Sequence, residues 1–127
     1  MLKKKEILLD QLNLRKGSKL IFARTKSRTA RLAEYLLDYG HKVTQIHGDR
    51  SMNQRIRAID EFKSGRVDIL VATDIAARGL DIAQVGHVIN FDIPQHAEDY
   101  VHRIGRTGRA GHLGNALSLV SPEERKY

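Results

Sequence analysis

The sequence predicts an α/β fold in which a mainly parallel sheet is covered by helices on both faces. Short apolar runs alternate with stretches of helical periodicity along the chain, the pattern of repeated strand–helix units. The runs are apolar at successive positions, as in strands buried on both faces. The chain has 127 residues with a hydrophobic fraction of 41%, which suits one domain, residues 1–127, around one core.

Residues 2–14 open with lysines and then place Ile7, Leu8, Gln11 and Leu12 at helical spacing, so a leading helix is expected, ended by Gly17. Leu20-Ile21-Phe22-Ala23 reads as the first strand, with Phe22 in the core. Residues 27–39 are helical in pattern, with Ala30, Leu32, Ala33, Leu36 and Leu37 expected inside, and Gly40 stands where a helix needs positive φ to stop. A second strand follows at 43–47. Ser51 and Gln54 match a capping box, so a helix starts there, runs through Ile56, Ile59 and Phe62, and stops at Gly65. Strands are expected at 68–72, 85–90 and 116–120, with a short helix at 97–104.

Composition narrows the function classes. There are no cysteines, which excludes disulfides and thiolate metal sites. The six histidines form no metal-ligating pattern, so no metal site is assigned to this chain. No apolar run is long enough to cross a bilayer and none near Met1 reads as a secretion leader, so a cytoplasmic protein is expected. Twenty-two Lys and Arg face 15 Asp and Glu, a net charge of +7, which suits a polyanionic partner such as RNA or a nucleotide. The run at Lys3-Lys4-Lys5 reads as a solvated helix end.

Ligands of parallel sheets bind outside the carboxyl ends of the strands. Polar residues cluster at those ends here: Thr25, His47-Gly48-Asp49, Thr73-Asp74 and the segment 78–81. The most specific segment is His102-Arg103-Ile104-Gly105-Arg106-Thr107-Gly108-Arg109. Three arginines recur every third residue, threaded with Gly105, Gly108 and Gly111, which favours a turn over continued helix. Guanidinium groups hold phosphate oxygens through paired hydrogen bonds, so such a turn suits a triphosphate. The GXXG pattern at 105–108 lacks the flanking elements of an RNA-binding KH domain.

Residues 102–109 match without substitution the HRIGRTGR segment of DEAD-box RNA helicases, and the chain resembles the C-terminal domain of that family. Ala72-Thr73-Asp74-Ile75-Ala76-Ala77-Arg78-Gly79-Leu80-Asp81-Ile82 resembles the next family segment upstream, and residues 20–26 resemble the one after the first strand. The likeness runs over roughly residues 19–120. His102 favours the RNA-acting branch, since DNA-acting relatives often carry Gln there.

The resemblance implies a RecA-like three-layer αβα sandwich with a mainly parallel central sheet, one half of a two-domain helicase core. It assigns Arg106 and Arg109 as arginine fingers on ATP, with His102 beside them at the catalytic centre. Asp81 would accept from the ribose, with Gly79 also at the nucleotide. Arg103, Arg78 and His102 would couple the domain to its partner. RNA-backbone contacts fall to Thr25, Gly48, Asp49, Arg55, Thr73 and Gly79. Met52 departs from the family pattern, which has Gln three positions before Arg55.

The glycine-rich phosphate loop and the acidic metal-binding segment that such an ATPase needs are absent. The resemblance places both on an N-terminal RecA-like domain, which would hold most of the ATP and its Mg2+. The chain ends look like cuts through a longer protein. By itself the domain is expected to be inactive and monomeric, with RNA and the N-terminal domain as partners. A half of a DNA-acting relative, or a binding module without catalysis, are the competing readings.

Overall fold

The computed structural model describes residues 4–14, 17–77, 85–92 and 115–118. Along the chain these form α1 (Lys4–Leu14), β1 (Lys19–Phe22), α2 (Lys26–Asp38), β2 (Val43–Ile46), α3 (Met52–Lys63), β3 (Ile69–Ala72), α4 (Asp74–Ala77), β4 (His87–Asn90) and β5 (Asn115–Ser118). The strands form one five-stranded sheet in the order β2-β3-β1-β4-β5, and every neighbouring pair is parallel.

Side chains alternate across each strand, so one apolar run feeds two cores. Ile21, Ala23, Ile69, Val71 and Ile89 face α1 and α2, which contribute Leu8, Leu12, Leu32, Ala33 and Leu36. Leu20, Phe22, Ile46, Leu70, Ala72 and Val88 face the other way, toward Ala58, Ile59 and Phe62 of α3 and Ala76 and Ala77 of α4. The expected three layers are therefore present, and Phe22 lies in the core as expected.

The inner faces differ in detail from the pattern expected. On α2 the buried set is Thr29, Leu32, Ala33 and Leu36, a stripe at helical spacing, while Leu37 is 49% exposed and Ala30 is only half-buried. Thr29 enters the core because its hydroxyl donates to the Thr25 carbonyl at 2.8 Å. Ile56 is 47% exposed, because α3 turns Ala58, Ile59 and Phe62 to the sheet. The one-turn α4 follows β3 where no separate helix was expected. The helix expected at 97–104 lies outside the described residues.

Ser51 and Gln54 form the reciprocal capping box, with the Gln54 amide on Ser51 Oγ at 3.1 Å and the Ser51 amide on Gln54 Oε1 at 2.8 Å. Gly40 and Gly65 stop α2 and α3 with φ of 86° and 82°. Among the described residues no helix is long and apolar enough to cross a membrane.

Candidate functional site

The parallel register aligns the strand ends. Phe22 pairs with Ala72 and Asn90, and Ile46 pairs with Ala72. The residues that follow, at Ala23, His47, Thr73 and Phe91, therefore lie along one edge. Helices return from that edge, so α2, α3 and α4 all begin there, and their first amides have no partner within the helix.

Thr25 is the N-cap of α2, with extended φ and ψ of −129° and 159°. Its hydroxyl accepts from the Arg28 amide at 3.1 Å. Thr73 does the same for α4, accepting from the Ala76 amide at 3.3 Å. Capping uses one acceptor site of each hydroxyl; a hydroxyl has another and a proton to donate.

The turn after β2 is ordered by His47. Its Nδ1 accepts from the Asp49 amide at 3.3 Å, which makes Nε2 the protonated nitrogen, facing Gln45 Oε1 at 3.0 Å. Burial and the nearby Arg50 push the His47 imidazole below its ordinary range, with Asp49 opposing weakly, so the ring is neutral at physiological pH. Gly48 and Asp49 are exposed at the tip of this turn. The Asp49 carboxylate pairs with Lys26 Nζ at 2.9 Å, and that hydrogen bond holds its carboxyl below the ordinary range. The pair links the turn to the first residue of α2. Arg55, on the first turn of α3, donates from Nε to the Arg50 carbonyl at 3.1 Å, which fixes the direction of its guanidinium.

Asp92, two residues beyond β4, is the buried centre of this edge and was not singled out by sequence reasoning. Its Oδ2 accepts from the Arg24 amide at 2.8 Å and from Arg28 Nε at 2.7 Å. Its Oδ1 accepts from the second Arg28 donor and from Lys4 Nζ, the latter at 3.4 Å. Burial pushes the Asp92 carboxyl up, but Arg28, the Arg24 amide and Lys4 outweigh it and hold the group below the usual carboxylate range. Asp92 thereby ties the start of α1, the β1–α2 turn and the end of β4 together. The only signal in the sequence was an acid just past the apolar run of β4.

The structure thus brings Thr25, Gly48, Asp49 and Thr73 to one edge, with Arg55 on the adjoining helix turn. Arg78, Gly79, Asp81, His102, Arg103, Arg106 and Arg109 lie outside the described residues. Among the described residues no three His, Cys, Asp or Glu side chains are grouped as metal ligands would be. Three helix starts, threonine hydroxyls, a glycine turn, Lys26 and Arg55 make an edge suited to phosphate and sugar oxygens. None of these groups is arranged as a nucleophile beside a base.

Comparison with known proteins adds the family. The model of the helicase conserved C-terminal domain matches residues 3–111. A DEAD-box ATP-dependent RNA helicase CshA from Geobacillus kaustophilus is 56% identical over 105 residues, which cover 83% of this chain and 22% of that protein. The solved C-terminal domain of the DEAD-box protein Dbp5 is 39% identical with a TM-score of 0.86, covering 97% of this chain and 73% of that one. The structure of Saccharomyces cerevisiae Dbp5 bound to RNA and ADP BeF3 is 41% identical with a TM-score of 0.82, covering 92% of this chain and 32% of that one. The chain therefore spans about a fifth of the length of the curated relative it matches.

Proposed function

We propose, from the premise that this chain belongs to the helicase conserved C-terminal domain family and is the C-terminal RecA-like domain of a DEAD-box RNA helicase, that it supplies the arginine fingers and half of the RNA groove of an ATP-driven clamp. The observation that carries the reading is the alignment of Thr25, the 47–49 turn and Thr73 on one edge, in the chain that also holds the 102–109 arginine string.

RNA would lie along that edge. The hydroxyls of Thr25 and Thr73 and the amides near Gly48 and Gly79 would meet sugar and phosphate oxygens, and Arg55 would add a charge. Asp49 serves the groove by holding Lys26 and the turn in place. Such contacts hold a strand without reading its sequence. The Dbp5 structure bound to RNA supports RNA as the ligand class.

Arg106 and Arg109 would meet the γ-phosphate of ATP when the two domains close, with His102 beside them and Asp81 and Gly79 at the nucleoside. Phosphoryl transfer is accelerated mainly by positioning and by charges aimed at the transferring group, which two fixed guanidiniums supply. Arg78 and Arg103 would carry the closure to the partner domain. Mg2+ would be held mainly by the N-terminal domain. Closure bends one RNA strand and disrupts a neighbouring duplex, and phosphate loss reopens the cleft. By itself the domain is inactive and monomeric, and the protein works in the cytoplasm.

Steady-state ATPase assays test this. In the whole protein Arg106→Ala or Arg109→Ala should lower RNA-stimulated turnover by roughly 10³-fold or more, with a small change in ATP affinity. Turnover equal to the parent protein removes them from the finger role. RNA-stimulated turnover by residues 1–127 alone overturns the assignment of half an active site.

A further inference from the structure

Beside the strand-end edge, a cleft of about 530 Å³ opens between α1 and α2 at the end of β4. Its walls join cations to rings: Lys5, Arg28 and Arg31 stand with Tyr35, Tyr39 and Phe91. Lys4 also borders it, and Glu6 is the one acid in the wall among the described residues.

The charged groups divide by task. Arg28 and Lys4 are engaged by Asp92, and both also lie over the Phe91 ring, at 5.7 and 5.4 Å from its centre. They set the floor. Lys5 and Arg31 are exposed, with the Lys5 ammonium 5.1 Å from the centre of the Tyr35 ring. Tyr35 and Tyr39 are tilted at 49° with ring centres 4.9 Å apart. Tyr39, at the end of α2, is 61% exposed and offers an open ring face. Burial and the neighbouring Tyr39 hydroxyl push the Tyr35 phenol up, so that ring contributes no anion at physiological pH.

Cations that follow a backbone, beside rings that accept a base, are the two requirements for holding a single strand without sequence preference. The cleft also begins beside the proposed groove: Arg28, which lines it, follows the Thr25 cap of α2 by three residues and binds Asp92 at the same strand-end edge. That helix spans about 20 Å from its cap to Tyr39. We propose that the α1–α2 cleft is a second contact for single-stranded RNA, taking a strand that continues past the α2 N-terminus. Its phosphates lie at Lys5 and Arg31 and a base stacks on Tyr39. This rests on the groove reading above and extends it. An acidic peptide would meet the same charges, but it leaves the open Tyr39 ring and the closeness to the α2 cap without a use.

The test measures affinity of the whole protein for a short oligouridylate of about six nucleotides and a long one of about twenty. Tyr39→Ala should weaken the long RNA about fivefold or more and leave the short one unchanged, while Tyr39→Phe, which keeps the ring, keeps the affinity. Arg31→Ala should weaken the long RNA alone and flatten its salt dependence by about 0.7 in log–log slope. Arg55→Ala, in the groove, should weaken both lengths. Long-RNA binding unchanged in Tyr39→Ala and Arg31→Ala overturns the cleft contact and leaves the groove intact. Loss of the long RNA in those variants, with Arg55→Ala harmless at both lengths, keeps the cleft and overturns the groove. Polyglutamate that binds in the cleft and loses affinity with Arg31→Ala, while the long RNA does not, assigns the cleft to acidic peptides instead.

Discussion

At the amino ends of the strands the helices close on main chain, whereas at the carboxyl ends they open on side chains. At the end of α2 the Gly40 and His41 amides donate to the Leu37 and Leu36 carbonyls at 3.0 and 3.1 Å. At the end of α3 the Ser64 amide donates to the Asp60 carbonyl at 2.9 Å. Backbone and a positive-φ glycine carry most of this closure, with the Ser64 hydroxyl adding one bond to the Glu61 carbonyl at 3.1 Å. At the other edge Thr25, Ser51 and Thr73 each lend a hydroxyl to a helix start. A parallel sheet with returning helices places every helix start on the same side. Orphan amides, caps and the charges that serve them therefore gather where a polyanion can reach them.

Changes at the two edges should then differ in kind. The largest effect is expected at Asp92. Asp92→Ala removes the acceptor shared by Arg28, the Arg24 amide and Lys4, and should cost about 2–3 kcal/mol in urea unfolding. A loss below half that would show the carboxyl edge to be less dependent on buried charge than its geometry suggests. Next comes the amino edge. A Cβ at Gly40 or Gly65 meets no atom within 4 Å, so the cost of Ala there is backbone strain alone, about 1–2 kcal/mol. RNA affinity should be unchanged, and a loss of affinity at equal fold stability would break the division between edges. Ser51→Ala should cost about 1 kcal/mol and Ser51→Gly only a few tenths, measured the same way. The smallest effect is with pH. His47 is held below its ordinary range, so the unfolded chain takes up the proton more readily. Its contribution is complete above about pH 6.5 and declines as pH falls below that value, and His47→Gln should remove that part of the stability–pH curve.

The helices and strands were legible because their apolar spacing is local. Leu20 to Ala23 can hardly be anything but a strand covered on both sides, and Ser51 with Gln54 announces a helix start within four residues. The facing of single residues was less legible. Leu36 and Leu37 have the same chemistry, and only the position of the sheet decides that one is buried and the other exposed. At the site, Thr25, Gly48, Asp49 and Thr73 stood out as polar residues at the ends of apolar runs. Asp92 also follows an apolar run but did not stand out, because its meaning comes from Lys4, Arg24 and Arg28, separated from it by 88, 68 and 64 residues. The α1–α2 cleft was illegible for the same reason: no spacing in the chain says that Lys5 will stand over Tyr35.

The first strand of the chain occupies the middle of the sheet. β1 takes its neighbours from β3 and β4, so Lys19 waits for Ile69 on one side and His87 on the other. During synthesis at about 5–20 residues per second, this buried strand leaves the ribosome several seconds before either flank exists. Until then both of its edges are open to other chains. A nascent protein of this topology has reason to be shielded by a chaperone, and a slow translation rate between β1 and β3 lengthens the exposure.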